Sequence, residues 1–154
     1  MIKTWTEICN SEVTAPKTGL YLFICLYNNH FAIELYRLNE DEKLWKYFTG
    51  EFEHFNGYYR ITPVAYHYID YYSDKSCSHW EASPNFDKES ADCCCVWAYS
   101  RNGSNIEYAL KCHTPAIYPE CVYMDRKFDI FYDEEYWKGA NFISYYKFSP
   151  HRQD

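Results

Sequence analysis

Residues 93–110 read CCCVWAYSRNGSNIEYAL, and this stretch decides the class of fold that the chain adopts. The Val and the aromatic residues before the turn favour a β-strand, and the residues NIEYAL after it favour a second one. Between them stands Asn102-Gly103, a pair that tolerates the positive φ of a tight hairpin turn. The stretch therefore predicts an antiparallel β-hairpin.

Three adjacent cysteines begin this hairpin in a chain that holds 8 cysteines. On a strand, Cys93 and Cys95 point to one face with Cα atoms roughly 6.6 Å apart. Sulfurs that share a tetrahedral zinc ion lie only about 3.8 Å apart, and the sequence has no C-x-x-C pair. We therefore predict that these cysteines are buried core thiols and that no metal is bound. The alternative is a zinc site that recruits ligands from Cys77, His79, Cys112, His113 and Cys121.

The composition is that of a globular chain with many aromatic rings. The 154 residues, of which 47% are hydrophobic and 24% charged, suffice for one domain or two small packed halves. The chain holds 18 Tyr, 10 Phe and 5 Trp. Its formal net charge of −7 disfavours a surface built to neutralise phosphates and suits a basic partner. Direct nucleic-acid binding is therefore not expected.

The N-terminal residues and the apolar runs bear on where the protein resides. MIKTWTEICNSEVTAPK has no apolar core of the length that a signal peptide needs. The longest apolar run, LYLFICLY at residues 20–27, is too short to cross a bilayer. We therefore expect a cytoplasmic protein without membrane association, whose cysteines are reduced and form no obligatory disulfide.

The two halves of the chain repeat one order of features, namely an early Trp, a Pro, an apolar hairpin, a Trp-Lys pair and a Tyr-rich strand. The first half supplies Trp5, Pro16, LYLFICLY, FAIELY, Trp45 and AYHYIDYY (65–72). The second half supplies Trp80, Pro84, CCCVWAY, NIEYAL, Trp137 and FISYYKF (142–148). In this alignment Tyr27 matches Tyr99, and Ile33-Glu34 matches Ile106-Glu107. The alternative is two unrelated hairpins that share common turn residues.

These patterns predict a mostly β fold, with α+β as the variant, built from two tandem related antiparallel β-rich halves. The halves are residues 1–74 and 75–154, packed as one compact unit. Segments 39–48 and 131–139 are expected to hold one or two short helices, because Asn39 with Glu42, and Asp133 with Tyr136, are spaced as helix caps.

Each half resembles small prophage-borne domains of unknown function. Those domains carry a Trp near the start, a P-x-x-G turn, a hydrophobic hairpin, an internal Trp and a closing strand that ends in W-M-P-L-P. The first half has Trp5, Pro16, Gly19 and Trp45 but lacks the terminal motif, and the second half lacks the P-x-x-G. The resemblance implies a phage or mobile-element gene and hence the cytoplasm of a bacterial host cell.

Recognisable catalytic signatures are absent from the sequence. It contains no phosphate-binding Gly-rich loop, no G-x-S-x-G and no H-E-x-x-H. Triplets of the nuclease type, D-x-K, occur at 41–43 and 125–127, but such triplets also arise on solvated faces. Cys112 and His113 are adjacent, so on a strand they face opposite ways and cannot form a nucleophile–base pair. We therefore expect no enzymatic activity and no cofactor.

Exposed tyrosines beside acidic runs are the candidate binding residues. Tyr brings a large contact area with little rotamer entropy to lose, and acids speed encounter with a basic groove. Along AYHYIDYY one face carries Tyr66, Tyr68, Asp70 and Tyr72. The predicted partner-binding residues are Glu40, Asp41, Glu42, Tyr47, Asp133, Glu134, Glu135 and Tyr136. The alternative is that the acids only keep an aromatic-rich protein soluble.

The leading functional hypothesis is a non-enzymatic protein that binds and blocks a host defence factor, as anti-CRISPR proteins do. Its partner would be a host protein or protein–nucleic-acid complex with a basic groove. One alternative is a nucleotide-binding sponge in which Arg60, Arg101 or Arg126 holds the phosphates. A further alternative is a zinc-stabilised or nuclease-like module. The sequence leaves the partner's identity and the oligomeric state open.

Overall fold

The computed structural model describes residues 5–9, 13–27, 30–44, 61–73, 79–82, 94–103, 105–111 and 138–150. Within these ranges the regular secondary structure consists of β-strands, and the strands form two four-stranded antiparallel sheets. The predicted mostly β, antiparallel class is confirmed. The chain divides into two compact units, one around each sheet.

The first sheet has the strand order β1-β4-β2-β3. Its strands are β1 (Thr6–Glu7), β2 (Gly19–Tyr27), β3 (His30–Leu38) and β4 (Ile61–Ile69). The central strand β2 is buried on both faces from Gly19 to Cys25, which explains why it is an unbroken apolar run rather than an alternating one. One buried cluster of this unit consists of Ala15, Tyr21, Phe23, Cys25, Leu38 and Leu44.

The second sheet has the strand order β5-β8-β6-β7. Its strands are β5 (Glu81–Ala82), β6 (Cys95–Arg101), β7 (Glu107–Lys111) and β8 (Ala140–Lys147). At the turn between β6 and β7, Asn102 and Gly103 have φ values of 52° and 75°, as a tight hairpin turn requires. The predicted hairpin is confirmed. The corresponding turn of the first sheet, at residues 28–29, lies outside the described residues.

The two sheets share their strand order and one irregularity. Each sheet places its four strands, taken in chain order, as first, fourth, second and third. In the first sheet the pairing of β2 with β4 shifts between Ile24 and Cys25. In the second sheet the pairing of β6 with β8 shifts between Ala98 and Tyr99. Each shift is a β-bulge on the last strand of its sheet in chain order. The extra residue is Val64 on β4 and Ile143 on β8.

The register of the two sheets differs from the alignment made on sequence. Phe23 pairs with Tyr66, and Trp97 pairs with Tyr145, and each of these pairs lies at the same distance before the bulge of its sheet. Counted from these pairs, Tyr99 takes the position of Cys25, so its match with Tyr27 is wrong. The tandem relation of the halves and their boundaries, 1–74 and 75–154, stay predictions.

Residues 39–44 form a turn rather than the start of the predicted helix. The Asn39 amide donates to Glu42 Oε1 at 2.9 Å, which is one of the two bonds expected of the predicted cap. The Glu42 amide donates to the Asn39 backbone carbonyl at 3.2 Å, which is the bond of a turn. Asp41, however, has a φ of 68°, which a helix does not accommodate. Residues 45–48 and 131–137, the rest of the helix candidates, lie outside the described residues.

Three of the four described cysteines are buried, as predicted for core thiols, and Cys93 lies outside the described residues. Cys25, Cys94 and Cys95 are buried, whereas Cys9 is exposed, and none of these four forms a disulfide. Among the residues described, no group of three or more His, Cys, Asp or Glu side chains is placed to hold a metal ion. Of the potential zinc ligands, only His79 lies in a described range. No helix in the described part of the chain is long and apolar enough to cross a membrane.

Candidate functional site

Three strands of the first sheet begin or end at the same edge of the unit. β2 begins at Gly19, which pairs with Leu38 at the end of β3, and the next residue of β2, Leu20, pairs with Ile69 at the end of β4. Because the strands are antiparallel, the residues that flank these ends collect in one place. They are Lys17 and Thr18 before β2, the turn at residues 39–42 after β3, and Asp70 after β4.

Backbone hydrogen bonds fix the 39–42 turn onto the segment before β2. The Ala15 amide donates to the Glu42 carbonyl at 2.7 Å, and the Asp41 amide donates to the Ala15 carbonyl at 2.9 Å. The Glu40 amide donates to Thr18 Oγ1 at 2.9 Å. These bonds restrain the backbone of residues 39–42, which we call the acidic turn. Its exposed side chains therefore extend from an ordered backbone.

Tyr68 ties the end of β4 to the same segment. Its hydroxyl donates to Asp70 Oδ1 at 2.7 Å and lies 3.2 Å from the Thr18 carbonyl oxygen. The Lys17 ammonium lies 5.4 Å from the centre of the Tyr68 ring, within cation–π range. The ring also covers Gly19, where an added Cβ would lie 2.5 Å from Tyr68 Cε2. Any side chain at the start of β2 would therefore force the Tyr68 ring to shift.

Two tyrosine hydroxyls at this end are held in their protonated form. Burial raises the pKa of Tyr68, and the hydrogen bond to Asp70 and the Asp70 charge raise it further. Burial also raises the pKa of Tyr21, although the hydrogen bond that the Lys17 amide donates to its hydroxyl, 3.2 Å long, lowers it. Both phenols are thus hydrogen-bond donors throughout the neutral range.

The predicted acidic triplet at 40–42 divides into two kinds of residue. Glu40 and Asp41 are exposed, whereas Glu42 is partly buried and its carboxylate accepts the Asn39 amide. Glu42 therefore shapes the turn. We call the exposed carboxylates of Glu40, Asp41 and Asp70 the acidic end of the first sheet. The other predicted binding residues, Tyr47, Asp133, Glu134, Glu135 and Tyr136, lie outside the described residues.

The tyrosines of β4 pack against a neighbouring ring and are not fully exposed. Tyr66 and Tyr68 are partly buried, with ring centres 5.9 Å and 5.3 Å from that of Tyr21. Tyr72, predicted to share their face, belongs to the second unit, where its ring lies 5.9 Å from Trp80.

Tyr71 is the exposed aromatic side chain beside the acidic end. It is 37% exposed, and the Arg37 guanidinium lies 6.0 Å from its ring centre. Sequence reasoning did not identify Tyr71 or Thr18 as part of this region. No local pattern signals a contact between Thr18 and Tyr68, because 50 residues separate them.

Arg101, a candidate phosphate ligand of the sponge hypothesis, is engaged within the second unit. Its Nε lies 4.0 Å from Glu107 Oε2, and its Nη1 donates to the Lys138 carbonyl at 3.4 Å. Its guanidinium also lies 5.7 Å from the centre of the Tyr99 ring. These contacts orient Arg101 along the hairpin. The other two arginines of that hypothesis, Arg60 and Arg126, lie outside the described residues.

No protein-family model matches the chain, and neither a curated protein nor a solved structure shows significant similarity to it.

Proposed function

We propose that this chain is a non-enzymatic protein of a phage or mobile element that binds and blocks a host defence factor in the bacterial cytoplasm. Its binding surface is the acidic end of the first sheet together with Tyr71. The partner is a host protein or protein–nucleic-acid complex with a basic groove, as for anti-CRISPR inhibitors.

The observation that carries this proposal is the fixed acidic turn. Glu40 and Asp41 project from a backbone that is hydrogen-bonded to Ala15 and Thr18. A surface that is already ordered loses less conformational entropy on binding, so more of its interaction energy contributes to affinity. Exposed acids lack this advantage when they stand on unconstrained loops.

Charge and the neighbouring aromatic ring indicate the chemistry of the partner. The carboxylates of Glu40, Asp41 and Asp70 are exposed in a chain of net charge −7, which favours approach to a basic groove. Tyr71 offers the apolar contact area that a purely electrostatic encounter lacks. Together they suit a partner that presents Arg or Lys beside an apolar surface.

The proposal is tested in a panel of bacterial strains, each of which carries one defence system. The panel includes strains with CRISPR–Cas systems. Expression of the chain is expected to restore plaque formation by a phage that the system otherwise restricts. Loss of restoration with Glu40→Lys combined with Asp70→Lys, and its retention with Glu7→Lys, would assign the effect to the acidic end. Glu7 is a suitable control because it is an exposed acid on β1.

The inhibitor is then measured against the purified effector complex of the responsive system. Reversal at the acidic end is expected to slow association at least tenfold at low salt and less at high salt, since rim charges act mainly on association rate. Unchanged association at low salt would contradict the proposal. If the chain binds a nucleotide stoichiometrically, and the charge reversals do not change this binding, the result would favour the sponge hypothesis instead.

A further inference from the structure

Tyr71, just beyond the end of β4, holds a guanidinium group on its ring. The guanidinium carbon of Arg37 lies 6.0 Å from the centre of this ring, at the outer limit of the range for a cation–π contact. A guanidinium group binds an aromatic face both by its charge and by planar stacking, whereas the ammonium group of lysine is a compact point charge. The contact therefore shows which kind of cation suits this ring.

Both residues of the contact are exposed to solvent. Tyr71 is 37% exposed, and Arg37 on β3 is also exposed. A cation–π contact at an exposed site is weak, because water competes for the cation. An arginine of another molecule can therefore replace Arg37 on the ring without any change in the sheet.

The residue before Tyr71 supplies charge of the sign that such an arginine requires. The carboxylate of Asp70 is exposed, and its Oδ1 accepts the Tyr68 hydroxyl at 2.7 Å. A carboxylate has about four acceptor positions, so this bond orients the group without exhausting its capacity for a guanidinium. Aromatic ring and carboxylate thus stand on consecutive residues.

We propose that the Tyr71 ring is the arginine-binding site of the acidic end and that Arg37 is its internal competitor. An arginine of the partner displaces the Arg37 side chain and stacks on the ring, with its charge beside Asp70. This inference rests on the proposed binding function and specifies it further. The partner is anchored by an arginine rather than a lysine, and Arg37 limits the affinity.

The two parts of the proposal have opposite effects on one measurable quantity. The ring favours arginine over lysine, and Arg37 reduces that preference by occupying the ring. We express the preference as the ratio of the dissociation constants of nona-lysine and nona-arginine. Both peptides carry the same number of charges, so their general attraction to the acidic end cancels in this ratio.

The test measures the binding of the two fluorescently labelled peptides to the native full-length chain at low salt by fluorescence anisotropy. Tyr71→Leu is expected to lower the ratio about threefold, which corresponds to the loss of one exposed cation–π contact. Tyr71→Phe retains the ring and is expected to retain the ratio. The guanidinium fork also pairs better with carboxylates than an ammonium group does, but this advantage is common to all three chains.

Removal of the competitor is expected to act in the opposite direction. Arg37→Ala is expected to raise the ratio about threefold, because the ring is then available to the peptide. In a Tyr71→Leu background the same change is expected to leave the ratio as it is. Lys43→Ala is the charge control, since Lys43 is an exposed lysine next to the acidic turn. It is expected to strengthen the binding of both peptides alike and to leave their ratio unchanged.

The outcomes separate this inference from the function on which it rests. An unchanged ratio in Tyr71→Leu, or a ratio that does not rise in Arg37→Ala, would overturn the arginine site while the acidic end keeps its binding role. If Glu40→Lys combined with Asp70→Lys weakens neither peptide, the proposed function fails together with this inference. If Tyr71→Leu fails to fold, the comparison of Arg37→Ala with Lys43→Ala decides, because both alter exposed side chains.

Discussion

The first and second sheets place different chemistry at the same three positions of the same strand arrangement. In the first sheet the row reads Tyr36, Tyr21 and Tyr68, and in the second it reads Lys111, Cys95 and Lys147. Strand order and bulge position are shared, so these features do not require particular side chains in this row. The side chains instead determine what each sheet end can do.

The difference extends to the residues just beyond the row. In the first sheet the Tyr68 hydroxyl donates to Asp70, two residues on, and this bond helps to build the acidic end. At the matching places the second sheet has Lys147 and Ser149, so an equivalent bond between a phenol and a carboxylate cannot form there. The proposed binding surface therefore belongs to the first sheet alone.

The largest effect is expected from Gly19→Ala. The new Cβ would lie 2.5 Å from Tyr68 Cε2 and 3.0 Å from the Ile69 carbonyl oxygen, so the ring and the backbone must both move. Overpacking of this kind costs about 2–3 kcal/mol. Native-state amide exchange is expected to speed up in β2 and to remain unchanged in β6, which would confirm that the sheets respond separately.

The control for that substitution is the same change in a Tyr68→Ala background. Without the ring, the added methyl group is expected to cost less than half as much. An equal cost in both backgrounds would mean that the Tyr68 ring does not impose the glycine.

Tyr68→Phe is expected to come next, at about 1 kcal/mol at pH 7, because it removes the hydrogen bond to Asp70. Urea denaturation at pH 7 measures this cost. Lys147→Met, the matching change in the second sheet, alters an exposed side chain and is expected to cost less than 0.5 kcal/mol. Equal costs would show that the two rows are energetically alike.

The same variant also tests the pKa of Tyr68 through the pH dependence of stability. The pKa is raised above the ordinary value of 10.0 in the folded state, so the folded chain holds the phenol proton more tightly than the unfolded chain. The resulting contribution is complete below about pH 10 and is lost as pH rises further. Tyr68→Phe is therefore expected to flatten the fall in stability between pH 9.5 and 11, and an unchanged slope would contradict the raised pKa.

Positive backbone angles predict a matched pair of smaller effects. Asp41 has a φ of 68° in the first unit, and Asn102 has a φ of 52° in the second. Ala disfavours this region, so Asp41→Ala and Asn102→Ala are each expected to destabilise by about 1 kcal/mol, whereas Gly at either position is expected to be neutral or stabilising. Thermal unfolding would measure both, and a stabilising Ala would contradict the turn geometry.

The smallest expected effect separates two neighbouring acids. Glu42→Ala removes an acceptor of the Asn39 amide and is expected to cost about 0.5 kcal/mol. Glu40→Ala is expected to change stability by less than that, because its amide, not its carboxylate, makes the observed bond to Thr18. For the rate of association with a basic partner, Glu40→Ala is expected to have the larger effect and Glu42→Ala the smaller. An unchanged association rate in Glu40→Ala would count against the proposed binding surface.

The sequence predicts the local features well. Asn102-Gly103 identifies the hairpin, the run LYLFICLY identifies a strand, and the spacing of Asn39 and Glu42 identifies the hydrogen bond from the Asn39 amide to the Glu42 carboxylate. Each of these depends on residues that are neighbours in the chain. The acidic run at residues 40–42 is likewise evident from the sequence, whereas its turn conformation is not, because a helix was expected there.

Features that depend on distant pairing could not be predicted in the same way. The bulge after Ile24 sets which residues of β4 face β2, and no residue near Ile24 signals it. An alignment made on sequence alone, without the bulge positions, matches Tyr99 with Tyr27 rather than with Cys25. The contact of Tyr68 with Thr18 depends on that register.

The central strand of the first sheet also bears on how this protein fails when it unfolds. Residues 20–27 contain no charge, no Pro and no Gly, and such segments stack readily with copies of themselves when their edges are open. In the native sheet both edges are occupied, one by β3 and the other by β4. A substitution that loosens either neighbour therefore creates a seed for aggregation, so loss of the first sheet should be followed by light scattering that increases steeply with protein concentration.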